Sequence, residues 1–332
     1  MKTDTLVVQP VLDLASAGLV HAVGEAAFGH DYVALPADPL EEMLPTLGGV
    51  DIAGTRAYRY VALLDGVPAG TVRLELPTRD NLSVATIDII VHPELRRRGV
   101  GRHLTTWSVA EAQRLGRTRL WFQVPGPVAG PAPAEPLMRE VGAKPALEEC
   151  RRILDLQSTA LLDPSAVAPG YRVEQWADRT PDSLVDGVAY LNGRMSTDAP
   201  NGELTMEPEH WDGQRLREKE ALCLETGRLH LLTVVVHEAT GDVAGLTELS
   251  VSRSCPEVSY QWETIVEPAH RGHRLGLALK TWNHRLLADR SPKTRYVNTW
   301  NADSNTFMVS VNELCGFQVA ERWTQYQLDL PA

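Results

Sequence analysis

Cysteine is scarce in this 332-residue chain: Cys150, Cys223, Cys255 and Cys315 lie far apart and form no C-x-x-C pair. That spacing gives neither a zinc ribbon nor a disulfide framework, so reduced, mostly buried thiols are the expectation. No apolar run approaches the ~18 residues of a membrane span, so no membrane partner is expected. Met1-Lys2-Thr3-Asp4-Thr5 lacks the apolar stretch of a signal peptide, and the expectation is a cytoplasmic protein. Basic residues are in deficit, with 32 Lys and Arg against 43 Asp and Glu and a net charge of −11. An acidic balance disfavours nucleic acid as a partner and suits a cationic one, such as an amine. His, Cys and Asp form no cluster with metal-ligand spacing, and no G-x-S-x-G marks a serine nucleophile; no metal is expected.

What is present is a full core and a repeat. Apolar residues make up 43% and charged residues 23%, ordinary values for a folded soluble chain, and the length suggests about two domains. The most informative stretch is Asp88 to Leu104. Ala85 to Val91 is apolar or β-branched apart from Asp88 and reads as a buried strand. Pro93 closes it, and Arg96-Arg97-Arg98-Gly99-Val100-Gly101 spells R-x-x-G-x-G before a helical run that begins with Arg102-His103-Leu104. Glycines at a helix start let backbone N–H groups approach an anion, and the helix dipole favours negative charge there. Three arginines add charge-assisted donors. The physical reading is a cradle for a pyrophosphate.

The stretch recurs. Adding 175 takes Gly70 to Gly245, Asp88 to Glu263, Val91 to Val266, Pro93 to Pro268, Arg96 to Arg271 and Gly101 to Gly276. Adding 174 takes Gly142 to Gly316 and Leu154-Asp155-Leu156 to Leu328-Asp329-Leu330. One indel over about 90 residues is a tandem duplication of one mixed α/β domain. The expected division is a first domain at 1–158, a Pro-bearing linker at 159–170 and a second domain at 171–332, closed by a strand pair over Phe317 to Leu330. In the second copy Arg274 stands where the first glycine of G-x-G falls, within Arg271-Gly272-His273-Arg274-Leu275-Gly276. A side chain there either crowds a phosphate or adds a contact to it.

Both stretches resemble motif A of the GNAT superfamily, the acyl-CoA-dependent N-acyltransferases. Asn305 with Gly316-Phe317 resembles motif B, with Asn312 where that family carries a tyrosine and with Pro131 and Met138 at the matching places in the first copy. The resemblance covers nearly the whole chain and is nearest to the tandem, two-domain type whose architecture mycothiol synthase shares. It implies two GNAT domains, each a mixed, mostly antiparallel sheet splayed between its fourth and fifth strands and flanked by helices.

It also implies acetyl-CoA as co-substrate and an amine of a small molecule as acceptor, with direct attack in a ternary complex. The implied coenzyme A contacts are Arg96 to Arg102 in the first copy, and Arg271 to Gly276 with Asn305 in the second. The oxyanion donor would be the amide of Ile90 or Val91, and of Ile265 or Val266. Asp88 and Glu263 stand where relatives often carry a base; a structural ion pair is the alternative for each. Asn312 stands at the general-acid position, although an amide cannot donate a proton as an acid. A non-catalytic coenzyme A-binding scaffold is the alternative function, and a larger acyl-CoA or an aminoacyl-tRNA the alternative donor. Both a monomer and a homodimer fit a tandem chain.

Overall fold

A computed structural model describes residues 5–164 and 166–331. The first series of elements is β1 (Leu6–Pro10), α1 (Leu14–Asp31), α2 (Leu40–Met43), β2 (Asp51–Ile52), β3 (Thr55–Leu64), β4 (Val67–Pro77), β5 (Val84–Val91), α3 (Val100–Arg114), β6 (Arg119–Gly126), α4 (Glu135–Val141) and β7 (Lys144–Asp155). The second is β8 (Tyr171–Ala177), α5 (Val185–Asp198), α6 (Gly213–Glu225), β9 (Arg228–His237), β10 (Val243–Ser252), β11 (Val258–Val266), α7 (Leu275–Arg290), β12 (Tyr296–Ala302), α8 (Thr306–Leu314) and β13 (Gln318–Asp329). Apart from the short β2 the two series share one order, as the repeat requires. The strand pair expected at the C-terminus is instead the single 12-residue strand β13.

Among the described residues two compact units form. One runs as far as Glu148 and takes in Gly202–Thr205 and the chain from Glu321 onward; the other is Glu149–Asn201 with Met206–Ala320. In the first, strands lie in the order β1-β3-β4-β5-β6, and β13 pairs beside β6 with Arg322 opposite Gly126 through Asp329 opposite Arg119. In the second the order is β8-β9-β10-β11-β12, and the Glu149–Asp155 part of β7 pairs beside β12. The last strand of each series thus completes the sheet made by the other.

Local chemistry explains the elements. Asp13 caps α1 through a reciprocal pair with Ser16, whose amide donates to Asp13 Oδ1 at 2.8 Å. Asp65 (φ 50°) and Gly66 (φ 85°) both take positive φ, the signature of a tight turn whose twist matches the β3–β4 hairpin. Gly70 and Gly245 are fixed by space: a Cβ there would stand 2.8 Å from the Ile90 and Ile265 carbonyls. In the first unit Leu74, Leu104, Leu120 and Phe122 join one buried cluster; in the second Leu191, Leu216, Leu232 and Ile265 join another under α5 and α6. Burying each such side chain contributes about 1.5–3 kcal/mol.

Candidate active site

The two glycine-bearing turns have one backbone and different glycines. In the first, Arg97 (φ 64°) and Gly99 (φ 84°) take the left-handed conformation; in the second, Gly272 (φ 86°) and Arg274 (φ 56°) do. Both turns need left-handed backbone at the same two positions, and each copy has placed its glycine at only one of them. Gly99 and Arg274 are the N-caps of α3 and α7, and neither helix has a side-chain cap, whereas Asp13, Asp212 and Asn305 cap α1, α6 and α8. A Cβ at Gly99 or Gly272 would meet nothing within 4 Å. Uncapped helix amides, left-handed turns and free space fit a phosphate group.

The arginines divide by role. Arg96 forms a two-pronged ion pair with Asp31 at the end of α1 (2.8 and 2.5 Å) and donates from Nε to the Val91 carbonyl at 3.2 Å. Arg271 does the same in the second unit, to Asp198 at the end of α5 (2.7 Å) and to the Val266 carbonyl (3.0 Å). Both guanidinium groups therefore brace the turn against its first helix. Arg102 pairs with Glu140 at 3.0 Å. Arg97, Arg98 and Gly99, like Gly272, His273 and Arg274, are exposed on the turns, while Val100, Leu275 and Gly276 are buried behind them. His270 accepts or donates at Nδ1 to the Tyr171 hydroxyl at 3.0 Å, and His237 and His273 pack their rings on Tyr171 too.

Each sheet opens beside its turn. β5 and β6 pair in parallel from Val84 opposite Arg119 only to Ile87 opposite Phe122; β11 and β12 pair from Val258 opposite Tyr296 only to Tyr260 opposite Asn298. Beyond those points the strands diverge. The His92 amide donates to the Ala69 carbonyl and the Glu267 amide to the Ala244 carbonyl, both at 2.9 Å. Strand alternation then turns Ile90 and Ile265 toward β4 and β10, and the amides of Val91 and Val266 toward the open edges.

The carboxylates on these strands have different surroundings. Asp88 lies directly opposite Arg73 on β4, in a register unbroken from Gly70–Val91 to Glu75–Thr86. Arg73 is itself paired with Glu75. Burial pushes the Asp88 carboxyl up to about 6, with Arg73 pulling the other way. In the second unit the register passes from Thr247–Thr264 to Leu249–Gln261, a bulge that sets Glu248 against both Trp262 and Glu263. Glu248 is fully buried and accepts from Lys219 Nζ (2.7 Å), His230 Nε2 (3.2 Å) and Asn192 Nδ2 (3.3 Å). Burial disfavours its charge, but Lys219 and His230 outweigh burial and hold the carboxyl below the usual range. Lys219 also stands 3.9 Å from Glu263, whose side chain is 33% exposed. Burial pushes the Glu263 carboxyl up, Lys219 opposes it and Glu248 adds to it.

Lys219, Glu248 and Asn192 are absent from the sequence reading, and His230, which as a histidine near a strand end suggests a solvated ring, is instead buried. One signal for Glu248 was available: it is an acid in the apolar run of β10, and it occupies the place of Arg73 one repeat earlier. Of the acids at and beyond the end of α5, Asp198 is committed to Arg271 and Arg194, and Glu209 to Trp211 and Arg215.

Motif B faces inward. Asn305 Oδ1 accepts the Met308 amide at 3.1 Å and caps α8. Asn312 is fully buried; it accepts from Lys280 Nζ at 2.6 Å and donates to Asn301 Oδ1. Met138, at the matching position of the first unit, is buried too. The position where relatives carry a tyrosine is thus a core position in both units. Lys280 is 1% exposed, and burial holds its ammonium down at about 8; the same burial, with Lys280 nearby, holds His284 at about 3.

Each unit thus pairs a sheet that opens with an uncapped turn suited to an anion at the open edge. The Acetyltransferase (GNAT) family model matches residues 29–129. The chain is 26% identical over 270 residues to mycothiol acetyltransferase from Salinispora arenicola (strain CNS-205), covering 80% of this chain and 78% of that one. It superposes with a TM-score of 0.83 on a tandem GNAT protein from the clavulanic acid biosynthesis pathway, at 28% identity over 99% of both chains. A GCN5-related N-acetyltransferase from Sphaerobacter thermophilus shares the fold (TM-score 0.68, 16% identity, 98% and 96% covered). The chain carries a GNAT acetyltransferase domain within a tandem GNAT architecture, and it is an N-acetyltransferase. Among the described residues no helix is long and apolar enough to cross a membrane.

Proposed function

We propose that the protein transfers the acetyl group of acetyl-CoA to a primary amine of a small molecule by direct attack in a ternary complex, and that the second unit performs the chemistry. The observation that carries this is the bulge at Trp262–Glu263, which places a partly exposed carboxylate beside the open edge that presents the Val266 amide. The uncapped turns at α3 and α7 would hold the pyrophosphate, and the bound thioester supplies the acyl group. Glu263 takes the proton that the attacking amine loses. A carboxyl that burial makes a stronger proton acceptor than an ordinary glutamate suits that task. The Val266 amide is the donor toward which negative charge on the carbonyl oxygen can develop.

One observation favours the second reading, a coenzyme A-binding scaffold: Asn312 and Met138, at the general-acid position of the two units, are both buried in the core. The two readings part on one assay. Acetyl-CoA is incubated with a panel of small primary amines, and free thiol is followed. Acceleration above hydrolysis by at least one amine, lost in Glu263→Gln, is the expected result. Acetyl-CoA binding by calorimetry without acceleration across the panel overturns acetyl transfer to a small amine and favours the scaffold.

A further inference from the structure

The second unit holds two glutamates side by side, with a cation between them. Lys219 reaches in from α6. Its Nζ donates to Glu248 Oε2 at 2.7 Å and to Asn192 Oδ1 at 3.0 Å, and it stands 3.9 Å from Glu263 Oε2. The Trp211 ring covers it, with its centroid 5.5 Å from Nζ. Glu248 has no exposed surface and three donors, from α6, β9 and α5. Glu263 keeps a third of its side chain exposed at the open edge.

We propose that Lys219 is a positioning residue for acetyl transfer: it fixes Glu248 as a permanent anion and thereby leaves Glu263 as the one carboxylate of the pair that takes up and releases the acceptor's proton. This rests on the reading of Glu263 as base. The groups that face Glu263 are Lys219 from α6, Glu248 from β10 and His230 from β9. Cys223 on α6 adjoins Lys219 and Glu248, with Arg228 and Asp178 beyond it. Two carboxylates in one site cannot both ionise freely. Without the ammonium, the pair shares a proton and Glu263 is occupied when the amine arrives. With it, the charge of Glu248 is balanced by contact, and Glu263, which solvent can reach, stays free to take the acceptor's proton.

The test reads Glu263 itself and needs neither acetyl-CoA nor an acceptor. Side-chain carboxyl carbons of glutamate are labelled with 13C in the full chain, Glu263 is assigned with Glu263→Gln, and its resonance is titrated. Lys219→Met is expected to raise the proton affinity of Glu263 at least tenfold. Lys219→Arg restores it to near the wild-type value. Glu248→Gln in an otherwise wild-type chain moves it the other way, to weaker proton binding. Glu248→Gln placed on Lys219→Met reverses most of that variant's shift.

A Glu263 titration unmoved in Lys219→Met, with a wild-type amide spectrum, overturns the proposal. So does a shift that Glu248→Gln fails to reverse. If Lys219→Met does not fold, Lys219→Gln takes its place in the same titration, with the same two outcomes. Loss of activity in Glu263→Gln is a separate measurement: without it the base assignment fails even where the titrations behave as expected.

Discussion

The two units present one backbone in two chemical settings. In the first, the acid on the open strand faces an arginine across an unbroken ladder. In the second, a bulge sets the equivalent acid beside another glutamate, and a lysine from the helix layer lies between them. The turns differ in the same spirit, since each left-handed pair contains one glycine and one arginine but in opposite order. The lesson is that duplication conserved the geometry while the side chains diverged. The unit with the better-preserved R-x-x-G-x-G is the one whose strand lacks the bulge.

The largest expected effect separates the two acids. Glu263→Gln should lower turnover with a responsive amine by ~10²–10⁴-fold, the range of a lost general base. Asp88→Asn should leave turnover within a small factor of wild type. The reverse outcome in a steady-state thiol-release assay would move the chemistry to the first unit.

The next effect belongs to the second unit's core. Burial puts the Lys280 pKa at about 8, against 10.5 for the ordinary group. The folded chain therefore releases this proton before the unfolded chain does. Between those two values the unfolded state binds more protons, so stability rises with pH through that window, and the cost of burying the charge is fully present below it. Lys280→Met should raise stability at pH 7 by up to about 3 kcal/mol and flatten the rise. Urea denaturation at pH 7 and at pH 10 measures both changes; a variant less stable than wild type at pH 7 would show that the bond to Asn312 outweighs the cost of burial.

Ligand binding sharpens the comparison further. Gly99→Glu puts a carboxylate at the first turn and Gly272→Glu at the second. Calorimetry with acetyl-CoA should show two sites in the wild-type chain and one in each variant. A wild-type stoichiometry of one, abolished by only one of the substitutions, would assign coenzyme A to a single turn.

These contrasts were unequally legible in the sequence. The repeat, the strand–turn–helix at each motif and Gly70 with Gly245 could be read because their determinants are local. Periodicity, Pro93 and Pro268, and glycine spacing act over a few residues. The place of β7 and β13 could not be read, because strand pairing as distant as Asp329 with Arg119 leaves no local mark. Nor could the Lys219 network, whose members come from four elements and meet only in the folded unit. Arg96 and Arg271 read as phosphate ligands because positive charge beside a glycine turn is ambiguous; Asp31 and Asp198, which hold them, lie 65 and 73 residues away.

The smallest effect tests the exchanged glycines. A non-glycine residue in the left-handed region costs roughly 1–2 kcal/mol, and glycine at that position recovers part of this while adding freedom to the unfolded chain. Arg274→Gly should therefore stabilise the chain by about 0.5–1 kcal/mol, and Arg97→Gly by a similar amount. Gly99→Ala should destabilise it by about 1 kcal/mol, although a Cβ there meets open space. Opposite signs at Gly99 and Arg274 in urea denaturation follow only if both turns hold the same backbone. The Arg274→Gly variant then separates the two roles of that side chain: a more stable protein that binds acetyl-CoA less tightly makes Arg274 a phosphate contact retained at a cost in strain. A more stable protein with unchanged or tighter binding shows that the side chain adds nothing to the turn.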